Sequence, residues 1–310
     1  MKKCEDMEKI NYLEGLKNPN PTIPTKLLYD DLGGVLFEAI TKLPEYKVTR
    51  DEYELLDKEK EMIVNELPSN ACMIDLGAGS CQKAAYIIPQ LKPIRYIPVD
   101  LASDFFSHSV SKLKNKFREL EIKSIEADFS TDFNTGMVKD IQGENFKSEP
   151  TVYFFPGSTI GNFRPDIGIN FLRNLNADFI LIGVDLVKPL DDLMGAYNDS
   201  LGVTSAFNKN ILLHFNRLAK TNFDIRFWRH DVRFNVRESR IEMHLVATSD
   251  QKVASPQGSI FFKKGKSIHT ENSYKYTVQG FTELLEEAGF DNLKSFVTPT
   301  ERYALFTGSK

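Results

Sequence analysis

A short apolar run expected as a strand over 71–76 ends in Asp75-Leu76-Gly77-Ala78-Gly79-Ser80 and feeds directly into a helical pattern over 82–90. A strand that passes through glycines into a helix brings bare backbone to the strand's carboxyl end, where open α/β sheets bind their ligands. The alternation then continues: strand 96–99, helix 102–120 carrying Phe105, Phe106, Leu113 and Phe117, strands 122–127 and 152–155, helix 165–175 and strand 179–186. A preceding helix over 51–67 places Tyr53, Leu56, Ile63 and Leu67 on one side and stops at Pro68. Strands and helices alternating at this spacing predict an α/β fold with a mostly parallel sheet covered on both faces.

After Lys188 the pattern breaks. A helix over 207–220 and long alternating strands over 225–234, 241–249 and 259–264 read as an α+β insertion with its own face to bury. A helix over 277–289, with Thr277 to cap it and Gly289 to end it, and strands 294–298 and 303–307 return to the first domain. The expected organisation is a domain of 51–188 plus 276–310 and a second one of 1–50 plus 189–275, the N-terminal part including a proline-rich lead-in over 18–24.

With 310 residues the chain is long enough for two domains with real cores. Its 39 basic against 43 acidic residues, a net charge of −4, exclude a disordered chain and a protein built to neutralise nucleic-acid phosphates or an anionic membrane. Neither a secretory apolar stretch nor a membrane-length one is present, so the expectation is a soluble, cytoplasmic protein without membrane or nucleic-acid partners. Cys4, Cys72 and Cys81 read as reduced thiols, with Cys72 a core filler. The five histidines form no His-x-x-x-His pair, and no metal is expected.

The glycine loop narrows the ligand. A dinucleotide fingerprint needs a third glycine where this chain has Gln82. Asp100, at the end of the second strand, stands where an acidic residue meets a ribose; Asp128, at the end of the next, suits an adenine amino group, and Phe129 suits the face of its ring. Acidic strand ends with no phosphate grip favour S-adenosylmethionine and a methyltransferase. A nucleotide enzyme and an unrelated α/β protein stay open on these residues alone.

Phe155-Pro156-Gly157-Ser158-Thr159-Ile160-Gly161-Asn162-Phe163 closely resembles the histidine-specific, S-adenosylmethionine-dependent Nα-methyltransferases of ergothioneine biosynthesis. The resemblance extends over Lys26-Leu27-Leu28-Tyr29-Asp30-Asp31, Leu43-Pro44-Glu45-Tyr46, Gly183-Val184-Asp185-Leu186-Val187-Lys188, Ala196-Tyr197-Asn198-Asp199, Ile241-Glu242-Met243-His244 and Thr270-Glu271-Asn272-Ser273. It implies a Rossmann-like class I methyltransferase sheet that binds S-adenosylmethionine, with a second, substrate-binding α+β domain made from the N-terminal segment and the insertion. The implied cofactor contacts are Gly77, Lys83, Asp100, Asp128 and Phe129, with Lys83 a partner for the methionyl carboxylate. The implied substrate contacts are Tyr46, Gly157, Asn162, Tyr197, Met243, Glu271 and Ser273, with Tyr29 close by.

These residue types suit a free amino acid. Asn162 and the Tyr197 hydroxyl are fitted to an α-carboxylate, the Gly157 carbonyl to an α-amine, and Glu271 and Ser273, two apart in an extended segment, to the two imidazole nitrogens. The resemblance implies a monomeric enzyme that methylates the α-amine of L-histidine up to three times to give hercynine. No side chain is marked as a strong general base, so catalysis falls to positioning by Tyr29, Tyr46 and Gly157. An N-methyltransferase of a tryptophan derivative and a non-catalytic ligand-binding module are the alternatives.

Overall fold

In the computed structural model, which describes residues 12–129 and 149–310, the chain separates into two compact units. One holds the residues up to Tyr46 together with Pro189–Ser273, the other Lys47–Lys188 together with Tyr274–Lys310. In the smaller unit the helical residues 12–17 precede a short 3-10 helix, Thr25–Leu28, and α1 (Asp31–Ile40). Asp30 starts α1 by accepting the Gly33 N–H at 2.8 Å, and residue 33 has no room for a Cβ, which would collide with the Leu28 carbonyl.

The larger unit opens with α2 (Val48–Asn65), followed by β1 (Cys72–Leu76), α3 (Gln82–Leu91), β2 (Arg95–Asp100), α4 (Asp104–Lys116), β3 (Glu121–Ile122), β4 (Ile125–Glu126), β5 (Thr151–Phe155), α5 (Pro165–Arg173) and β6 (Phe179–Asp185). β1 pairs in parallel with β2 on one side and β5 on the other, and β5 pairs in parallel with β6. Every residue of β1 is buried, which is why its sequence is a continuous run with no alternation. The strand expected over 122–127 is instead two short ladders, β3 against the start of β2 and β4 against its end. The helix expected from 102 begins at Asp104, because Ser103 is extended and its hydroxyl accepts the Phe106 N–H at 3.1 Å.

The insertion contributes α6 (Leu190–Tyr197), α7 (Val203–Ala219), β7 (Trp228–Asn235), β8 (Arg240–Ala247), the β9 (Gln251–Ser255) and β10 (Gly258–Phe262) hairpin, and β11 (Ser267–Tyr274). β11, β8 and β7 form one sheet in that order, and α7 packs on β7 and β8. Phe207, Ile211 and Phe215 of α7 are buried, and Trp228 lies edge-on to Phe223 and Phe262 at 5.5 and 5.2 Å between ring centres. The strand expected from 225 starts three residues late, since Asp224 accepts the Arg226 N–H and turns 225–227 into a 3-10 helix.

α8 (Val278–Glu287), β12 (Asp291–Val297) and β13 (Tyr303–Ser309) then complete the larger unit. Thr277 caps α8 through the Gly280 N–H at 3.0 Å, and Gly289 takes the left-handed conformation (φ +88°) that ends it. β13 runs antiparallel between β6 and β12, giving the order β12-β13-β6-β5-β1-β2-β3. This is the α/β fold with a parallel-dominated central sheet that the alternation predicts. Leu76, Val99, Phe155, Ile182, Phe281 and Phe306 belong to its core, as does Cys72. Cys4 lies outside the described residues. Among the described residues no helix is long and apolar enough to cross a membrane.

Candidate active site

The carboxyl ends of β1, β2 and β5 carry Gly77, Asp100 and Gly157. Gly77 and Gly79 both have positive φ, +71° and +49°, so the loop after β1 needs residues without a Cβ. The loop is held from β2: Asp100 accepts the Gly79 N–H at 2.6 Å with one carboxylate oxygen and the Leu101 N–H at 2.7 Å with the other. Burial pushes the Asp100 carboxyl up, against the lowering effect of those two N–H groups. A Cβ on Gly77 would lie 3.6 Å from Phe129 Cζ, so the expected ring-binding aromatic borders the expected cofactor loop. Phe129 is itself fixed edge-on to Phe155 at 5.9 Å, and Asp128 beside it is half-buried.

The donor set fits an adenosyl group. Each Asp100 oxygen has further lone-pair capacity for a diol, Asp128 adds a second acceptor, and Lys83 supplies a cation for a carboxylate. Under the loop, Asp75 takes the Tyr96 hydroxyl at 2.6 Å, and burial pushes its carboxyl up to about 7.

Lys83, in the first turn of α3, forms an ion pair with Glu52 at 2.6 Å. A Cβ on Gly157 would stand 2.6 Å from Lys83 Nζ, so the turn after β5 passes directly over this lysine. Asn162 closes the 3-10 helix Thr159–Asn162 that follows. Glu52 has no sequence signature: it lies 31 positions before its lysine, in a helix rich in exposed charge.

The other expected substrate residues belong to the smaller unit. Tyr29 and Tyr46 both lie edge-on to Phe37, at 5.7 and 6.2 Å, and Tyr29 also meets Phe207 at 5.4 Å. The Tyr197 hydroxyl donates to Ser273 Oγ at 2.6 Å, and Glu271, Ser273 and Met243 are buried. A buried polar chain links their backbones. His230 Nε2 meets the Tyr197 carbonyl at 2.9 Å, Asn208 Nδ2 donates to His230 Nδ1 at 2.8 Å, and Thr270 Oγ1 lies 2.7 Å from Asn208 Oδ1 and 3.0 Å from the Met243 carbonyl. Asn208 and His230 are thus supporting residues to which the sequence reading assigns no role. Burial lowers the His230 pKa, and a neutral ring that accepts on Nδ1 and donates from Nε2 satisfies both neighbours.

Glu242, His244 and His269 bring one carboxylate oxygen and two ring nitrogens within 4.8 Å of one another. Adjacent strands assemble this group, so no sequence spacing shows it. The two rings stack at 4.7 Å with 19° between planes, and lone pairs in nearly parallel planes do not converge on one ion. Burial holds the His244 pKa down to about 4, while Arg240 and Asn235 secure the Glu242 carboxylate.

The profile of a family described as histidine-specific, SAM-dependent methyltransferases matches residues 8–310. The histidine N-alpha-methyltransferase of Mycobacterium tuberculosis is 30% identical over 307 residues, covering 96% of this chain and 92% of that protein. Ergothioneine biosynthesis protein 1 of Neurospora crassa is 27% identical over 291 residues, 90% of this chain but 32% of that longer protein. A 4-dimethylallyltryptophan N-methyltransferase of Epichloe festucae var. lolii is 23% identical over 307 residues, covering 90% and 88%.

Proposed function

We propose that this chain, which belongs to the histidine-specific, S-adenosylmethionine-dependent methyltransferase family, transfers methyl groups to the α-amino nitrogen of L-histidine, up to three times, giving N,N,N-trimethylhistidine. The observation that carries the reading is the pairing on β11 of a buried carboxylate, Glu271, with a buried hydroxyl, Ser273, two residues on. A carboxylate accepts from an imidazole N–H and a hydroxyl can donate to the other ring nitrogen, a two-point match that an apolar side chain does not offer. An indole has one ring nitrogen and no acceptor in its plane, which makes a tryptophan derivative the weaker reading.

In this reading Gly77, Lys83, Asp100, Asp128 and Phe129 hold the S-adenosylmethionine. Its sulfonium supplies an electrophilic methyl group. The rest of the work is placement of a neutral amine for in-line attack, worth several orders of magnitude in rate without an activated side-chain nucleophile. Gly157 and Asn162 are assigned to the amino-acid end of the substrate, while the Tyr197 hydroxyl, whose one proton goes to Ser273 Oγ, is assigned to orienting that serine. Tyr29 and Tyr46 supply hydroxyls that orient the amine and ring faces that tolerate the cationic product. Glu271, Ser273 and Met243 are assigned to the imidazole.

Incubation with S-adenosylmethionine and a panel of free amino acids, followed by mass spectrometry, tests this. Histidine is expected to gain one, two and three methyl groups in succession. Methylation of an indole amino acid in preference to histidine would overturn the assignment.

A further inference from the structure

Glu52 is the point at which five elements of the larger unit meet. It sits in the second turn of α2, 1% exposed in its side chain, and among the described residues it meets polar partners from three separate parts of the chain. Its Oε1 accepts the Gly157 N–H at 2.9 Å and the Tyr303 hydroxyl of β13 at 2.7 Å, while Oε2 faces Lys83 Nζ at 2.6 Å. Space for the group is reserved from β6, where a Cβ on Gly183 would collide with the Tyr303 hydroxyl and lie 2.7 Å from Glu52 Oε1.

A buried carboxylate is tolerated only when charge and lone pairs are answered, and here one cation and two neutral donors answer it. Lys83 gains a fixed position in return. A lysine with four rotatable bonds, otherwise free to sweep through solvent at the rim of a helix, is held at one point beside the turn that carries Gly157. That turn is fixed by the other oxygen of the same carboxylate, and the absence of a Cβ at Gly157 leaves the space that Lys83 Nζ occupies.

We propose that Glu52 is a positioning residue for the methyl transfer. It presets Lys83 for the carboxylate of the cofactor's amino-acid tail, and it locks that lysine to the Gly157 backbone assigned to the substrate amine. The inference rests on the reading above in which Lys83 and Gly157 serve cofactor and substrate.

The test compares two thioether ligands by calorimetry: S-adenosylhomocysteine, which has the amino-acid tail, and 5′-methylthioadenosine, which lacks it. Glu52→Gln keeps an acceptor for the Gly157 N–H and the Tyr303 hydroxyl but removes the charge that holds Lys83. It is expected to weaken S-adenosylhomocysteine about tenfold, the cost of ordering a released lysine, and 5′-methylthioadenosine less than about twofold. In a Lys83→Met background the same change is expected to do nothing further to either ligand. Unchanged or tighter S-adenosylhomocysteine binding in Glu52→Gln would overturn the proposal, since the carboxylate would then be only a competitor for the lysine. Equal weakening of both ligands would overturn it as well, by reducing Glu52 to a general support of the fold. Lys83→Met alone separates the two layers. If it leaves the preference for the tailed ligand intact, the assignment of Lys83 falls and takes the proposal with it. If it abolishes the preference while Glu52→Gln does not, the assignment stands and the role of Glu52 alone is refuted.

Discussion

The Tyr197 hydroxyl donates to Ser273 Oγ at 2.6 Å, so its single proton, which the sequence reading gives to the substrate carboxylate, is spent on a residue read as holding the imidazole. Because Ser273 accepts from the tyrosine, the proton on its own oxygen is directed elsewhere, which suits donation to an unprotonated ring nitrogen. Tyr197→Phe is therefore expected to raise the histidine KM by about three- to tenfold, the value of one neutral hydrogen bond. A double-mutant cycle with Ser273→Ala should show coupling, the second change costing less once the first is made. Strictly additive effects in steady-state kinetics would show that the bond does not shape substrate recognition.

Glu271→Gln tests the imidazole assignment more severely. The amide keeps an acceptor but loses the charge, and kcat/KM for histidine is expected to fall by about 10- to 100-fold. Calorimetric affinity for S-adenosylmethionine should stay within about twofold, because Glu271 belongs to the smaller unit and has no assigned role with the cofactor. Wild-type histidine turnover in this variant would remove Glu271 from the site.

Much of the larger unit is legible because local chemistry and tertiary demand agree. Thr277 and Gly289 bracket α8 as cap and left-handed terminator, and β1 reads as a fully covered strand from its apolar run. Reading fails where a short-range hydrogen bond overrides the pattern, as when Asp224 curls 225–227 into a 3-10 helix. β11 is read only as an extended segment around Glu271 and Ser273, and its start at Ser267 is missed, because Thr270, Glu271, Asn272 and Ser273 lack an apolar alternation. The candidate cofactor residues Gly77, Asp100 and Phe129 announce themselves at strand ends, where fold geometry fixes their place. Glu52, Asn208 and His230 do not, because a buried polar group is defined by partners that sequence distance hides.

Asp100 is bonded to the glycine loop through Gly79, so its removal is expected to cost both the ligand contact assigned to it and the shape of the loop. Asp100→Ala is expected to weaken S-adenosylmethionine binding by at least about tenfold in calorimetry, the acceptor of two backbone N–H groups and the ribose contact assigned to it being lost together. Retained affinity would show that the cofactor is held without β2.

Acid sensitivity should carry the mark of His244. Its pKa is held from 6.5 down to about 4, first by burial and then, against the pull of Glu242, by the neighbouring His269 and Arg233. Between these values the unfolded chain binds a proton that the folded chain refuses, so stability is full above about pH 6.5 and declines as pH falls towards 4. The loss attributable to this group is about 2–3 kcal/mol, and Glu242, held down to about 2, adds a further loss below its ordinary value of 4.5. Urea unfolding of wild type and His244→Gln across this range checks it: the variant should show a flatter decline between pH 6.5 and 4.

Asp75 works in the opposite sense. Burial raises its pKa from 3.8 to about 7, so the folded chain keeps a proton that the unfolded chain releases, and stability drains as pH rises between those values. Asp75→Asn retains an acceptor for the Tyr96 hydroxyl without the ionisation. It is expected to unfold about 2–4 kcal/mol less readily than wild type above about pH 7, the difference shrinking towards pH 4. Parallel pH series of thermal unfolding would expose a wrong sign at once.

The antiparallel pairing of β13 with β6, Tyr303 opposite Asp185 and Ser309 opposite Phe179, has a consequence for how the protein is made. The ribosome delivers β6 long before its partner. At about 5–20 residues per second, the roughly 120 residues from Asp185 to Tyr303 take about 6–25 s to emerge. Through that interval an apolar strand of Phe179, Ile180, Leu181, Ile182 and Val184 stands with one edge bare, open to pairing with another nascent chain. Interrupting the sheet with an inserted unit therefore exposes the nascent chain to aggregation in time: the sheet can close only when its last strand is synthesised.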